Sequence, residues 1–248
     1  MIFLCFSSQD RYTAVKSCLY HLKTYGYQTW YDYHELILGD FKREKNYINA
    51  IKSSDYIVMI YSKGFFESPC ALEEEQAIFA EEKLRSLPIF PLLYNITFSE
   101  LPAATQARLE NRIYANVIDD SGCLAAVNQI VTKILLDEMG IGQHEMTPGI
   151  TSATAGQAQD PYISLVLEEY RKIRSDNFNA RISMLFCLYL YIKKAYPVLS
   201  VPEHLSQTIE YLAHYTKLDI PYNHKELIIA ELVILRLLHE FHILVDDI

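Results

Sequence analysis

The chain has 248 residues, half of them hydrophobic, and a net charge of −9, so it can bury one sizeable core or two modest ones and is too apolar to be disordered. The acidic balance, with no Lys/Arg cluster dense enough for a phosphate footprint, excludes nucleic acid and the membrane surface as expected partners. Five cysteines without CxxC spacing (Cys5, Cys18, Cys70, Cys123, Cys187) and a strand-like run directly after Met1 read as a reducing, cytoplasmic location.

Ile2, Phe3, Leu4, Cys5 and Phe6 form a first strand that stops at the turn Ser7-Ser8-Gln9-Asp10. Val15, Cys18, Leu19 and Leu22 then recur at helical spacing until Gly26. Residues 27–31 read as a second short strand, followed by a loop from Asp32 through Gly39 and a helix carrying Tyr47, Ile48 and Ile51. The continuous β-branched and aromatic run at 56–61 has the signature of a strand buried on both faces of a parallel sheet. Residues 87–93 read as a fourth strand, 112–115 as a shorter fifth, and 124–139 as a closing amphipathic helix. Alternating βα units over about 140 residues predict a doubly wound parallel sheet with ligands at the carboxyl ends of its strands.

After the third strand, Ser68 is placed to cap a helix with Pro69 at its first position. On that helix Ala71, Leu72, Ile78 and Phe79 make one apolar stripe with Glu75 in its middle. Glu73 points nearly the opposite way, toward water, and Glu74 lies on the flank, where a carboxylate borders the cleft at the strand ends. A solvated helix face steadied by the helix dipole is the ordinary account of such a run.

From 140 to 160 the composition turns to Gly, Ala, Thr, Ser and Gln, which reads as a flexible linker. Beyond it, four segments (162–173, 178–196, 203–218 and 225–245) carry apolar residues at helical spacing. Asn223 with Glu226 resembles a capping box, and Pro197, Pro202 and Pro221 punctuate helix ends. The expectation is an all-α bundle over 161–248 whose Leu185, Leu188, Tyr189, Leu232, Leu235 and Leu238 are core. The longest apolar stretch, 182–192, is too short to span a bilayer.

Several chemistries lack their signatures. The eight histidines show no metal spacing apart from His239 and His242, for which a structural or exposed role is expected, so no metal is expected. No Gly-rich phosphate loop follows the first strand, and no Gly-x-Ser-x-Gly elbow occurs. Asp32 lacks the acidic pair that a phosphoacceptor site would need after the first strand.

Three separated blocks, in order, resemble the TIR (Toll/interleukin-1 receptor) domain family over residues 1–139. They are Phe3-Leu4-Cys5-Phe6-Ser7 with Asp10; Gly26 with Trp30, Asp32, Leu36 and Gly39; and Ala50-Ile51 with Ser54 and Ile57, leading to Ser62, Phe65 and Ser68. The resemblance implies a five-stranded, flavodoxin-like α/β fold. Aligned without gaps from Ser62, it sets the family's catalytic Glu on Glu74, its Trp on Cys70 and its following Leu on Glu75. A one-residue gap matching Cys70 to the family's Cys would set it on Glu73 instead. Glu74 is favoured, because that gap would choose the outward-facing residue.

In enzymatic members, prokaryotic ones especially, this Glu serves cleavage of NAD⁺ at the nicotinamide–ribose bond. The resemblance therefore implies an NAD⁺ glycohydrolase or cyclase giving ADP-ribose or a cyclic product. NAD⁺ is then the substrate and no cofactor is expected. Glu73 and Glu75 as like charges would tend to raise the pKa of Glu74. By the same resemblance Phe6 and Ser7, and Leu36, Gly39 and Phe41 in and after the second-strand loop, would line the nucleotide site. Activation by self-association and a role in prokaryotic antiviral defence complete what it implies, and the helical segment beyond the resemblance is expected to serve oligomerisation, sensing of a protein or small-molecule trigger, or regulation. A non-enzymatic scaffold acting through TIR–TIR contacts is the alternative from another class.

Overall fold

A computed structural model describes residues 1–30, 48–140, 160–198, 200–217 and 222–241. Five parallel strands form one sheet in the order β2-β1-β3-β4-β5: β1 (Ile2–Cys5), β2 (Thr29–Trp30), β3 (Tyr56–Tyr61), β4 (Ile89–Tyr94) and β5 (Ala115–Val117). The register pairs Cys5 of β1 with Met59 of β3, and Tyr61 of β3 with Leu93 of β4. Chain order and strand order diverge between β1 and β3, which makes their carboxyl ends the switch point where ligands of such sheets bind.

The β3 run is buried because both faces are covered. Phe3, Cys5, Ile57, Met59 and Tyr61 cluster with Ala71, Ile78 and Phe79, while Ile2, Leu4, Val58 and Ile60 alternate to the other face and are equally excluded from water. The helices between strands are α1 (Lys16–Thr24), α2 (Asn49–Ser53), the single turn α3 (Lys63–Phe66), α4 (Pro69–Leu84), α5 (Ala103–Leu109) and α6 (Asp120–Glu138). Before α1 the chain makes a short turn at Ser8–Asp10 and a kinked one at Arg11–Val15, where Thr13 leaves helical geometry (φ −114°, ψ −112°).

Two expectations are corrected. The fifth strand is Ala115–Val117 rather than 112–115: Arg112 still closes a turn on the Leu109 carbonyl, Ile113 is 87% exposed, and fully buried Val117 is the anchoring residue. The closing helix starts at Asp120, four residues before the apolar spacing suggests. Its first turn is the polar Asp120-Ser121-Gly122, and Asp119 just before it accepts from the Gly122 amide at 3.0 Å.

The chain divides into two compact units, Met1–Lys23 with Tyr27–Val127, and Thr24–Gly26 with Asn128–Ile248, so α6 contributes residues to both. The second unit holds α7 (Pro161–Lys172), α8 (Phe178–Ala195), α9 (Glu203–Lys217) and α10 (His224–Glu240). Leu185, Leu188, Tyr189, Leu232, Leu235 and Leu238 are core residues there, each at most 3% exposed. The Asn223/Glu226 capping box forms, with the Asn223 side chain accepting from the Glu226 amide at 3.0 Å and the Asn223 amide donating to the Glu226 carboxylate at 2.8 Å. Gly26, at φ +82°, lies so close to α9 that an added Cβ would stand 2.7 Å from the His204 Cα. Beside it Thr208 donates to the Tyr25 carbonyl at 2.8 Å, and the Tyr25 hydroxyl donates to Asn128 at 2.7 Å. No described helix is long and apolar enough to cross a membrane. The expected linker falls almost entirely on 141–159, outside the described residues.

Candidate functional site

At the carboxyl ends of β1 and β3 two loops are tied together. Ser62, directly after β3, caps α3 by accepting from the Phe65 amide at 3.0 Å and donates to the Asp10 carboxylate at 2.5 Å. Burial raises the Asp10 carboxyl above its ordinary value, and the Ser62 hydroxyl pulls it partly back. Gln9 packs on Gly64 so tightly that a Cβ there would stand 2.8 Å from the Gln9 amide oxygen. These contacts fix the Ser7–Asp10 turn against the start of α3.

α4 follows. Ser68 caps it, its hydroxyl accepting from the Ala71 amide at 3.3 Å, and Pro69 occupies the first position. The face assignments hold: Glu73 is exposed, Ala71, Ile78 and Phe79 are buried, and Glu75 lies among them at 4% exposure. Glu74 is 8% exposed, as sheltered as Phe79, so the flank position lies against the protein rather than in open water. Its carboxylate accepts from the Cys70 thiol, one turn earlier, at 3.7 Å. Its neighbour Cys5 has a thiol pushed well up by burial first and then by the charge and hydrogen bonding of Glu74. Cys5 is the last residue of β1 and also approaches the Ala71 carbonyl at 3.9 Å. Glu74 thus stands over the end of β1, where Phe6 (9% exposed) and Ser7 (1% exposed) are the next two residues. Ser7 uses its hydroxyl to accept from the Gln9 amide at 3.3 Å.

Glu75 occupies an apolar position because both of its oxygens are satisfied. The Tyr61 hydroxyl, at the end of β3, donates to one at 3.0 Å, and Arg108 of α5 pairs with the other at 3.1 Å. Sequence reasoning found the carboxylates and missed Cys5, Tyr61 and Arg108 as their partners; Tyr61 carried a signal, being the fully buried one of the two tyrosines of the β3 run, whose hydroxyl must find a partner. Leu36, Gly39 and Phe41 lie outside the described residues, as do Asp32 and His242. Glu74, Phe6 and Ser7 are brought to one strand-end edge. The arrangement offers a carboxylate in a sheltered, weakly screened setting, suited to stabilising positive charge that develops nearby.

Comparison with known proteins adds an independent line. The profile of the family described as "TIR domain" matches residues 2–131. An archaeal protein named NAD(+) hydrolase TcpA, from Theionarchaea archaeon (strain DG-70-1), is 29% identical over 130 residues, covering 52% of this chain and 38% of its own length. A second, named probable 2′ cyclic ADP-D-ribose synthase TcpO, from Methanobrevibacter olleyae, is 36% identical over 104 residues, covering 40% and 29% respectively. The match therefore spans little more than a third of these relatives at most. Among solved structures, the TIR domain of the Toll-related receptor TRR-2 of Hydra magnipapillata has a TM-score of 0.41 at 21% identity, covering 56% of this chain and 97% of its own. The TIR domains of the activated Roq1 resistosome that recognises the effector XopQ score 0.44 at 22%, covering 54% and 98%.

Proposed function

Because this chain belongs to the TIR domain family, we propose that it cleaves the nicotinamide–ribose bond of NAD⁺, with Glu74 as the catalytic carboxylate. The observation that carries the reading is Glu74 itself, sheltered on the flank of α4 beside Cys5, where β1 ends and Phe6 and Ser7 begin. The names of two archaeal relatives, an NAD⁺ hydrolase and a cyclic ADP-ribose synthase, support the same substrate.

The chemistry suits a carboxylate without a partner acid. Nicotinamide is cationic in NAD⁺ and leaves neutral, taking the electron pair of the C1′–N bond, so no proton need be given to the leaving group. The ribosyl cation left behind is stabilised by the negative charge of Glu74, an interaction stronger in the transition state than in the bound substrate. Water then forms the C1′–O bond and loses a proton, giving ADP-ribose. Attack by the adenine or by a ribose hydroxyl, again with loss of a proton, gives a cyclic product. Phe6 and Ser7 line the nucleotide side in this reading, together with Leu36, Gly39 and Phe41.

Self-association is part of the proposal, with the helical segment 161–248 as the module that controls it, and so is a role in prokaryotic antiviral defence. The test mixes concentrated protein with NAD⁺, with and without a crowding agent, and follows nicotinamide release for the wild type, Glu74→Gln and Glu73→Gln. Release that rises faster than linearly with protein concentration and is lost only in Glu74→Gln is the expected result. Loss only in Glu73→Gln transfers the role to that residue, and silence of the wild type at every concentration leaves a non-enzymatic scaffold or an enzyme that acts only on a trigger. Protection of cells from phage that depends on Glu74 tests the defence role.

A further inference from the structure

Glu75, Phe79 and Glu82 recur at i, i+4 and i+7 and so share one face of α4. Two arginines four residues apart meet that face. Arg108 pairs with Glu75 at 3.1 Å and lies over the Phe79 ring at 4.8 Å. Arg112 lies over the same ring at 5.7 Å and pairs with Glu82 at 2.5 Å. Phe79 is thereby bracketed by two guanidinium groups, with an ion pair beyond each. On the other oxygen of Glu75 sits the Tyr61 hydroxyl, so this carboxylate is held between β3 and α5.

We propose that Arg108, acting through Glu75, is a positioning residue for the Glu74 carboxylate: the arginine staple fixes the rotation of α4 about its own axis. The inference rests on the reading of Glu74 given above. The apolar stripe of α4 alone would hold the helix loosely in rotation, because hydrophobic contact is not directional. Side chains reach about 5–6 Å from a helix axis, so a turn of about 10° moves a carboxylate by about 1 Å. A displacement of about 1 Å at a reacting centre is enough to lower a rate about a hundredfold. Hydrogen bonds from a strand end and from a neighbouring helix, both landing on the residue next to Glu74, supply the missing direction. Stability alone is a poor reason for the pair, since the Arg108 side chain is 37% exposed and an ion pair open to water on one side contributes little. The Arg108 cation also offsets the charge of Glu75, which lets two adjacent carboxylates both be sheltered.

The test compares wild type, Arg108→Met, the double variant Glu75→Leu/Arg108→Met, Glu75→Gln and Glu74→Gln. It reads kcat and KM of nicotinamide release together with the rate of Cys70 carbamidomethylation by iodoacetamide, resolved by peptide mass. Arg108→Met should lower kcat about tenfold or more with KM changed by less than about threefold. The double variant, which leaves no carboxylate stranded, should stay about as slow as the single one, while Glu75→Gln, whose amide can still bridge Arg108 and the Tyr61 hydroxyl, should lose less of kcat than Arg108→Met does. Cys70 is half-buried on the first turn of α4, so a rotated helix changes its alkylation rate by more than about threefold. A double variant with wild-type kcat and wild-type Cys70 reactivity overturns the inference while leaving Glu74 in place. If Glu74→Gln releases nicotinamide like the wild type, or the wild type releases none, the reading of Glu74 falls; Cys70 reactivity unchanged in Arg108→Met then overturns the staple as well, and changed reactivity upholds its geometry.

Discussion

Cys70 stands one helical turn before Glu74, and its thiol reaches the Glu74 carboxylate at 3.7 Å. In the gapless alignment that favours Glu74, the family's aromatic residue falls on this position, so on that reading the chain has a small, polarisable group where a large ring is expected. Removing the thiol should leave nicotinamide release within about threefold, because it takes away only a weak hydrogen bond. Carboxymethylation by iodoacetate should lower release about tenfold or more, since it sets a second negative charge beside Glu74. Cys70→Ala should be resistant to iodoacetate although exposed Cys187 is still modified, which a peptide-resolved mass measurement with parallel assays checks.

Gly26 and Gly64 are both closely approached, yet their alanine variants should differ. At Gly26 the obstacle is the His204 backbone at 2.7 Å and φ is +82°; at Gly64 it is the end of a flexible Gln9 side chain at 2.8 Å. Gly26→Ala should destabilise by more than about 2 kcal/mol and Gly64→Ala by less than about 1 kcal/mol. Thermal unfolding of the two variants followed by circular dichroism decides it.

In the helical unit Arg181 is 8% exposed, pairs with Glu231 at 3.5 Å, lies over the Tyr170 ring at 4.9 Å and donates to the Ile173 carbonyl at 3.0 Å. The Tyr170 hydroxyl donates to Glu231 as well. Arg181→Met strands the half-buried Glu231 carboxylate and should destabilise by about 3 kcal/mol, whereas Arg181→Met with Glu231→Met should lie within about 1 kcal/mol of wild type. Denaturant titration of both variants measures the difference directly.

Burial holds the Glu226 carboxyl above its ordinary value, against the Asn223 amide that donates to it. A carboxyl raised in the folded state contributes stability that is present below its unfolded value and lost as pH rises through the folded one. Gln keeps the capping geometry and does not titrate. Glu226→Gln should therefore match wild type near pH 4 and melt higher near pH 8, by a few degrees on a scale of about 2–4 °C per kcal/mol. A melting difference that stays constant with pH would count against this.

β1, β3 and β4 were legible because each is short, apolar and bounded by turn residues, and β3 was readable to the residue. β5 was displaced because Ile113 looks like a strand residue locally and only the fold reveals that it faces water. α5 escaped notice altogether: seven residues with Leu109 as their single large apolar side chain carry little periodic signal. Within the site, helical geometry sorted Glu73, Glu74 and Glu75 by face. What it could not supply were partners distant in sequence, such as Cys5 for Glu74 and Arg108 for Glu75, since no local pattern encodes which strand end or helix a carboxylate will meet.

The pairing of Ile2 with Tyr56 and of Ile57 with Ile89 bears on how the chain reaches this state. β1 leaves the ribosome before the other strands of the sheet, its central neighbour β3 emerges only some fifty residues later, and β3 must in turn await β4. Until then Ile2-Phe3-Leu4-Cys5 presents an unpaired apolar edge, and closing such long loops before any contact rewards them slows folding. The interval between the emergence of β1 and that of β4 is thus the one in which this sheet is most exposed to aggregation, and in which a chaperone would shelter it most.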